Sequence, residues 1–383
     1  MAPFTSVILA LFKTGGYNYD AILIDTSIFD ANGLRLDKGI LGKLTQFSKS
    51  PITYLFPDVI KYEVQSHLEK KIKDVKTSLN KALNNANDYL TFGGLALNDA
   101  KQQLVENNDT KELAKSKIDK FIADTGALVI NCGEFVSVEP LLQHYFSNQP
   151  PFAETGKKKN EFPDAIVLLA VEAWAEKEGK KVLSIAADKD WKEYCDKSKN
   201  IDYLKDFSSG LMAFNRTNAP YALLANLDIA FNNNTAISFL TEIESHLTAT
   251  LEDFTPDQDA ESSFYWEPEG CRGWFREFSL FDNEFRIIDT DEDWIVLAVY
   301  ADIKVEVEGE FSLSVYDSID RDQVPMGSIT VTREEDFDSE ILITISGDLN
   351  GDVNELSVDE VEILNIISTV NFGNIEPDFG DEY

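Results

Sequence analysis

Short apolar runs that alternate with helical patterns constrain the fold of the first half of this chain more than any other feature. The runs are rich in Ile, Leu, Val and Ala and are too short to be helices. Strands buried on both faces have this composition, and alternation with helices implies parallel strands joined by right-handed crossovers. We therefore predict a parallel α/β sheet with strands at Ala21–Ile24, Ile52–Phe56, Ala127–Ile130 and Lys181–Ala187.

Acidic residues stand where these strands end or where helices begin. Asp25 and Asp188 directly follow strands, Asp164 opens an apolar helical pattern, and Glu63 lies in the first turns of another helix. In an open parallel sheet these positions share one edge, the carboxyl ends of the strands. Carboxylates placed together repel one another, and Mg²⁺ or Mn²⁺ relieves that repulsion. The pattern predicts a metal-dependent phosphodiesterase.

The last third of the chain differs in charge and in pattern. Residues 251–383 contain 6 Lys and Arg and 36 Asp and Glu, so they carry −30 of the net charge of −34. Apolar and polar residues alternate at Ile303–Val307 and Ile341–Ile345, which predicts antiparallel strands with an exposed acidic face. We also predict a short helix near Asp359–Ile367.

These changes in pattern predict the domain boundaries. Residues 1–210 form an α/β domain that carries a helical insert at about 64–125, broken at Gly93-Gly94. Residues 211–252 form a helical bridge, residues 253–375 form the acidic β-rich domain, and residues 376–383 form a disordered tail.

Cysteine usage and hydropathy indicate a cytoplasmic protein. Cys132, Cys195 and Cys271 are far apart and have no CxxC spacing, which argues against both a disulfide framework and a zinc site. The apolar run Val7–Phe12 is too short to span a bilayer, so we expect no membrane association.

Four acidic motifs in a fixed order resemble those of the PIN-domain ribonucleases. They are Ile24-Asp25-Thr26-Ser27, Glu63 within VIKYEV, Phe162-Pro163-Asp164-Ala165, and the strand end Ser184–Asp190. The resemblance covers residues 20–205 and is closest to a PIN-like branch with a long helical insert. It implies an α/β fold, with a three-layer parallel-sheet domain first. A smaller acidic, mostly antiparallel β (α+β) domain, which resembles no family, follows.

The resemblance also implies the roles of the site residues. In PIN-domain ribonucleases, carboxylates hold Mg²⁺ or Mn²⁺, and water attacks the phosphorus of single-stranded RNA. By motif, the catalytic and metal-binding residues are Asp25, Glu63, Asp164 and Asp188, with Asp190 as an extra ligand. Thr26, Ser27 and Glu161 would support the site, and Lys157, Lys158 and Lys159 would contact the nucleic acid.

Each residue alone also has an ordinary structural explanation. Asp164 could be a helix N-cap, Glu63 a solvated helix residue, and Asp188 the start of an Asx-turn. The lysines at 157–159 could be a solvated loop. Asp25 is harder to explain in this way because an acid at the end of a buried strand is poorly solvated.

Several aromatic and charged residues near the motifs have two interpretations. Phe152 and Phe162 could stack on bases or belong to the core, whereas Trp174 and Trp191 are expected in the core. His67 is expected to be a surface or packing residue and not a ligand.

A metal-dependent endoribonuclease acting on single-stranded RNA is the primary functional hypothesis. A catalytically inactive PIN-like scaffold that binds RNA or protein, and a DNA-directed nuclease with the same chemistry, are the alternatives. A haloacid-dehalogenase-type phosphotransferase is disfavoured because Ser27 stands where a second Asp is required. The acidic domain could attract a basic regulatory protein or basic patches of its own chain, as in a toxin- or defence-type effector.

Overall fold

The computed structural model describes residues 19–90, 94–106, 109–152, 161–215, 221–281, 284–291, 293–317, 321–349 and 351–377. It divides the chain into two compact units, Met1–Thr217 and Asn218–Tyr383. The apolar run Val7–Phe12 and Lys157–Lys159 lie outside the described residues. No described helix combines the length and the hydropathy needed to cross a bilayer.

The first unit is built on a four-stranded parallel sheet. The strand order is β2-β1-β3-β4, so the first strand lies inside the sheet beside the third. Every residue of β1 and β3 is buried, as expected for strands covered on both faces. The strands are β1 (Ala21–Ile24), β2 (Thr53–Leu55), β3 (Val182–Ile185) and β4 (Ile201–Leu204).

Helices follow each strand and complete the three-layer α/β arrangement predicted from the sequence. Short 3-10 turns lie at Lys43–Lys49 and Cys132–Glu134. The helices outside the insertion are α1 (Thr26–Ala31), α2 (Gly39–Gly42), α6 (Val138–Phe146), α7 (Phe162–Glu178), α8 (Lys189–Cys195) and α9 (Phe207–Met212).

Helices occupy the predicted insertion, which lies between β2 and the segment at residues 127–130. It consists of α3 (Asp58–Leu90), α4 (Gly94–Lys101), a π-helical turn (Gln102–Glu106) and α5 (Thr110–Thr125). Gly93 of the predicted Gly93-Gly94 break lies outside the described residues, and α4 begins at Gly94. Leu68 on α3 and Ile118 on α5 are buried, so apolar contacts hold the insertion to the unit.

The strand predicted at Ala127–Ile130 is reduced to a single parallel bridge between Leu128 and Leu55. The Leu128 N–H donates to the Tyr54 carbonyl at 2.7 Å, and the Phe56 N–H donates to the Leu128 carbonyl at 2.9 Å. The Asp58 N–H at the start of α3 also donates to the Ile130 carbonyl, at 2.9 Å. The segment therefore extends the edge of the sheet beside β2 without forming a regular strand.

The second unit is a mostly antiparallel β domain, as predicted. Its main sheet has the order β10-β9-β8-β6, with β7 also paired to β8, and β11 pairs with β5 in parallel. The strands are β5 (Asp257–Glu261), β6 (Tyr265–Leu280), β7 (Arg286–Thr290), β8 (Trp294–Asp317), β9 (Asp322–Ser346), β10 (Ser357–Ile363) and β11 (Thr369–Asn374). A 3-10 turn lies at Val353–Glu355.

Two features of the second unit differ from the sequence-based expectation. The short helix predicted near Asp359–Ile367 is wrong, because β10 pairs antiparallel with β9 and buries Val358 and Ile363. The helices α10 (Tyr221–Asn232) and α11 (Ile237–Leu251), predicted as part of a bridge, belong to the core of this unit. Residues 378–383 of the predicted tail lie outside the described residues.

Candidate active site

Asp25 is the most enclosed of the predicted site acids. It follows β1 directly, and its backbone N–H donates to the Ile185 carbonyl of β3 at 2.9 Å. Its carboxylate caps α1 by accepting the Ser27 N–H at 3.0 Å, and only 6% of the residue is exposed. Burial raises the pKa of Asp25, the bonds from Ser27 and Thr26 lower it, and the charge of Asp188 raises it again.

Ser27 and Thr26 use their hydroxyl groups to hold acids in place. The Ser27 hydroxyl donates to the Asp25 carboxylate and accepts the Ala187 N–H at 3.1 Å. The Thr26 hydroxyl donates to Oε2 of Glu63 at 2.9 Å. These hydrogen bonds connect the first turn of α1 with the loop after β3 and with α3.

Glu63 lies in the second turn of α3 and faces the end of β1. Burial raises its pKa, and the charges of Asp25 and Asp30 raise it further, while the Thr26 hydroxyl and His67 lower it. His67 lies one turn farther along α3, and its Nδ1 is 2.9 Å from Oδ2 of Asp30. His67 is exposed, as the sequence predicts, but its ring is held by this ion pair.

Asp164 has the most strongly perturbed titration in the site. Its pKa is raised to about 7, most by burial and also by the charges of Asp25, Glu63 and Asp188. The Trp191 indole N–H lowers it. Helix α7 begins two residues earlier with Glu161 as its N-cap, so the cap interpretation of Asp164 does not describe this helix.

Asp188 has the ordinary local role that its sequence context allowed, since it caps α8 by accepting the Asp190 N–H at 3.1 Å. Its charge nevertheless raises the pKa of Asp25 and of Asp164. Burial also raises the pKa of Asp190, followed by the charges of Asp188 and Glu161. Glu161 and Asp190 therefore lie at the margin of the same acidic site.

Tyr203 on β4 is a neighbour of the site that the sequence did not reveal. Burial raises its pKa, and Asp188 and Asp25 are among the charges that raise it further. The apolar spacing of Ile201–Leu204 was the available signal for this strand, but only its pairing with β3 places Tyr203 beside Ser184.

The aromatic residues near the acids belong mainly to the core. Phe152 is 1% exposed and its ring centroid is 5.0 Å from that of Phe162. Trp174 and Trp191 are buried, as predicted. These contacts favour the core interpretation of Phe152 over base stacking.

The donor set suits a hard divalent cation. The charges of Asp25, Glu63 and Asp188 raise the pKa of Asp164, and the charge of Asp25 raises the pKa of Glu63. Asp25 and Asp188 follow β1 and β3 at the carboxyl edge of the sheet, and the Thr26 hydroxyl links Glu63 to this edge. Oxygen ligands of this kind suit Mg²⁺ or Mn²⁺, which would offset the mutual repulsion. As the side chains stand, no group of three or more His, Cys, Asp or Glu among the described residues is arranged to hold a metal ion.

Comparison with known proteins identifies a related family for the first unit. A family model described as PIN domain matches residues 22–191, which include all the predicted site acids. No curated protein and no solved structure matches the chain significantly.

Proposed function

We propose that residues 22–191, which match the PIN-domain family model, form a metal-dependent endoribonuclease that hydrolyses phosphodiester bonds of single-stranded RNA. PIN domains are generally nucleases, so a nuclease-type function is the expectation for the family. The proposal adds the metal, the substrate and the residues that act.

Mutual repulsion among the acids carries the proposal. Asp164 has a pKa raised to about 7 by burial and by three neighbouring carboxylates, and Asp25 is almost completely enclosed. Ionised carboxylates in such a place are costly unless a cation balances them. Perturbed acids gathered at the carboxyl edge of a parallel sheet are typical of a functional site.

Asp25, Glu63, Asp164 and Asp188 would hold Mg²⁺ or Mn²⁺, with Asp190 as a further carboxylate. The bound cation would supply activation of water and charge stabilisation at the phosphate. Thr26 and Ser27 orient Glu63 and Asp25 for this task through their hydroxyl groups. Asp164 would release its proton as the cation binds, so binding should strengthen as the pH rises.

A PIN-like scaffold that binds RNA without cleaving it is the second candidate. It is favoured by one observation, that the described acids are not already grouped as metal ligands. The DNA-directed alternative differs from the proposal only in substrate. The choice of single-stranded RNA over DNA rests on the family resemblance.

The acidic second unit would serve regulation or the binding of a basic partner. Asp302 on β8 and Asp338 on β9 are direct cross-strand partners. Like charges directly opposite each other destabilise a sheet, and a basic partner would relieve that cost.

Substitution of Asp25 tests the enzymatic proposal. Asp25→Asn should reduce cleavage of a single-stranded RNA in Mn²⁺ by at least about 100-fold, since even loss of a ligand's outer partner costs about 10–100-fold. Asp119→Asn, which changes an exposed acid on α5, is the matched control and should retain activity. Chelator should abolish cleavage by the native protein.

The same variants should separate the enzyme from the scaffold. Mn²⁺ should raise the melting temperature of the native protein and of Asp119→Asn, but not that of Asp25→Asn. Full cleavage by Asp25→Asn would refute the assignment of Asp25. RNA binding without cleavage by the native protein in either metal would favour the scaffold.

A further inference from the structure

A band of polar side chains runs along α3 away from the candidate active site. Positions 7, 11 and 18 residues apart return to nearly the same face of an α-helix, which has 3.6 residues per turn. Lys70 and Lys81 stand at the seventh and eighteenth positions after Glu63, so they share its face. We call the exposed residues His67, Lys70, Lys73, Thr77 and Lys81 the α3 stripe.

Packing of the helix leaves the α3 stripe in contact with solvent. Val64 and Leu68 are buried on another side of α3, and Ala114 and Ile118 are buried on α5. These apolar contacts fix the orientation of the helix within the first unit. The stripe is therefore presented by a rigid element and not by a loop.

The three lysines of the α3 stripe carry positive charge that is only partly balanced. None of them forms an ion pair with a residue in the described ranges, whereas Lys120 on α5 pairs with Asp124. Asp74 lies on the same face and offsets part of this charge. The α5 helix also carries exposed lysines, but the α3 stripe shares its helix with Glu63 of the candidate site.

The dimensions of the α3 stripe suit an extended polyanion. Glu63 and Lys81 are separated by five helical turns, or about 27 Å at 1.5 Å per residue. A row of cations along this length can follow the backbone of a single strand, as basic grooves do in proteins that bind single-stranded nucleic acid. His67 stands at the end nearest the acids, and its Nδ1 is engaged by Asp30, which directs any contact with a ligand to Nε2.

We propose, on the premise of the RNase function above, that the α3 stripe binds the backbone phosphates of the single-stranded RNA on one side of the scissile bond. Charge complementarity and continuity with Glu63 support this occupant. The stripe determines which length of substrate is held firmly, while the acids at the sheet edge perform the cleavage. Short RNAs that end near Glu63 do not reach Lys81.

Binding without cleavage tests the stripe directly. The full-length chain is kept in chelator, and its affinity for a fluorescein-labelled 12-nucleotide oligouridylate is measured by anisotropy over a range of salt concentrations. The combined variant Lys70→Gln, Lys73→Gln, Lys81→Gln should bind about tenfold more weakly or worse, and its slope of log K against log salt should be smaller by roughly 2.

A matched variant removes the same charge from α5. Lys111→Gln, Lys115→Gln, Lys117→Gln changes three exposed lysines of the same insertion and should alter affinity by less than twofold. Equal losses in the two variants, or native affinity in the α3 variant, would overturn the proposal. Thermal melts of both variants identify any loss that comes from unfolding.

A cleavage measurement separates this proposal from the function on which it rests. In Mn²⁺ the α3 variant should cleave the 12-nucleotide RNA about tenfold more slowly and a trinucleotide at the native rate. If the α3 variant binds RNA more weakly but the native protein cleaves neither substrate, the RNase function is contradicted and the stripe is retained. Native cleavage of both substrates by the α3 variant would retain the RNase function and remove the stripe.

Discussion

At the scale of single residues, the site acids combine local bonds with long-range repulsion. Asp25 and Asp188 each cap a short helix, and the hydroxyls of Ser27 and Thr26 hold Asp25 and Glu63. Local capping accounts for a carboxylate's position but not for a raised pKa, because bonds to N–H and O–H groups lower it. Burial and neighbouring acids must therefore dominate at Asp25 and Asp164.

Asp164 should make the stability of the metal-free protein depend on pH. Its pKa is raised from 3.8 to about 7 in the folded chain, so the folded state binds its proton more tightly than the unfolded state. The resulting stabilisation is complete below about pH 4, declines as the pH rises, and is lost above about pH 7. A shift of this size corresponds to roughly 4 kcal/mol.

Asp164→Asn removes this dependence. In chelator, the free energy of unfolding of Asp164→Asn relative to the native protein should increase by roughly 2.5 kcal/mol between pH 5 and pH 8. Urea unfolding of the first unit at several pH values measures the difference, with Asp119→Asn as the control. Parallel pH profiles for the native protein and Asp164→Asn would contradict the assigned shift.

The sequence predicted which acids form the site, but it did not predict the bonds around them. Asp25, Glu63, Asp164 and Asp188 were recognised because each belongs to a local motif. The bond between the Ser27 hydroxyl and the Ala187 N–H joins residues 160 positions apart, and no local pattern encodes it. Tyr203 was not predicted for the same reason, since only the pairing of β4 with β3 brings it near the acids.

At the scale of elements, periodicity predicted the strands and helices whose buried residues follow a single repeat along the chain. In β8, buried Ile303, Val305 and Val307 alternate with more exposed polar residues, so one reading fits. Residues 358–364 contain buried Val358, Val361 and Leu364, a spacing of three that also suits a helix. Pairing with β9 decides the outcome, which explains why this helix prediction failed.

Gly309 provides a test of how β11 is held against the main sheet. A Cβ at Gly309 of β8 would lie 2.6 Å from Cζ of Phe372, so β11 or β8 would have to move. Gly309→Ala should therefore destabilise the second unit by about 1–3 kcal/mol, the usual cost of overpacking. Thermal unfolding of the full chain should show a lower melting temperature for one transition.

Gly270 of β6 supplies the matched substitution. A Cβ there meets its nearest atom, a Glu310 carboxylate oxygen, at 3.9 Å, which is an ordinary contact. Gly270→Ala should leave the melting temperature nearly unchanged. Similar losses in both variants would show that alanine in these strands, and not the collision with Phe372, causes the effect.

At the scale of the whole molecule, charge and fold divide the chain in the same way. The boundary at Thr217 separates the first unit from a unit that contains nearly all the net negative charge. Helices α10 and α11 fall on the acidic side, where Phe239, Ile243 and Leu247 are buried in the sheet core. The sequence predicted an acidic β-rich domain, but it could not assign these helices because their apolar faces suit any partner.

Truncation tests this division. A chain ending at Thr217 should remain soluble and melt cooperatively, because the core of the first unit is retained. A chain ending at Glu252 should aggregate, because α10 and α11 lose the sheet that covers them. Size-exclusion chromatography distinguishes the two, and equal behaviour would contradict the assignment of the helices.

The same truncation examines the regulatory role proposed for the acidic unit. If that unit restrains the nuclease electrostatically, the chain ending at Thr217 should cleave RNA faster than the full chain at low salt, and the difference should shrink as salt screens the charges. Identical cleavage rates for the two chains at all salt concentrations would contradict electrostatic restraint by the acidic unit.

The length of β9 has a consequence for association between copies of the protein. Only Ile341–Ser346 of this 25-residue strand pair with β10, so its earlier part is a sheet border that carries Glu334, Asp336 and Asp338. The negative charges keep two such borders from joining. Replacing these three acids with their amides removes the repulsion, and solutions of that variant should turn from clear protein into cross-β fibrils.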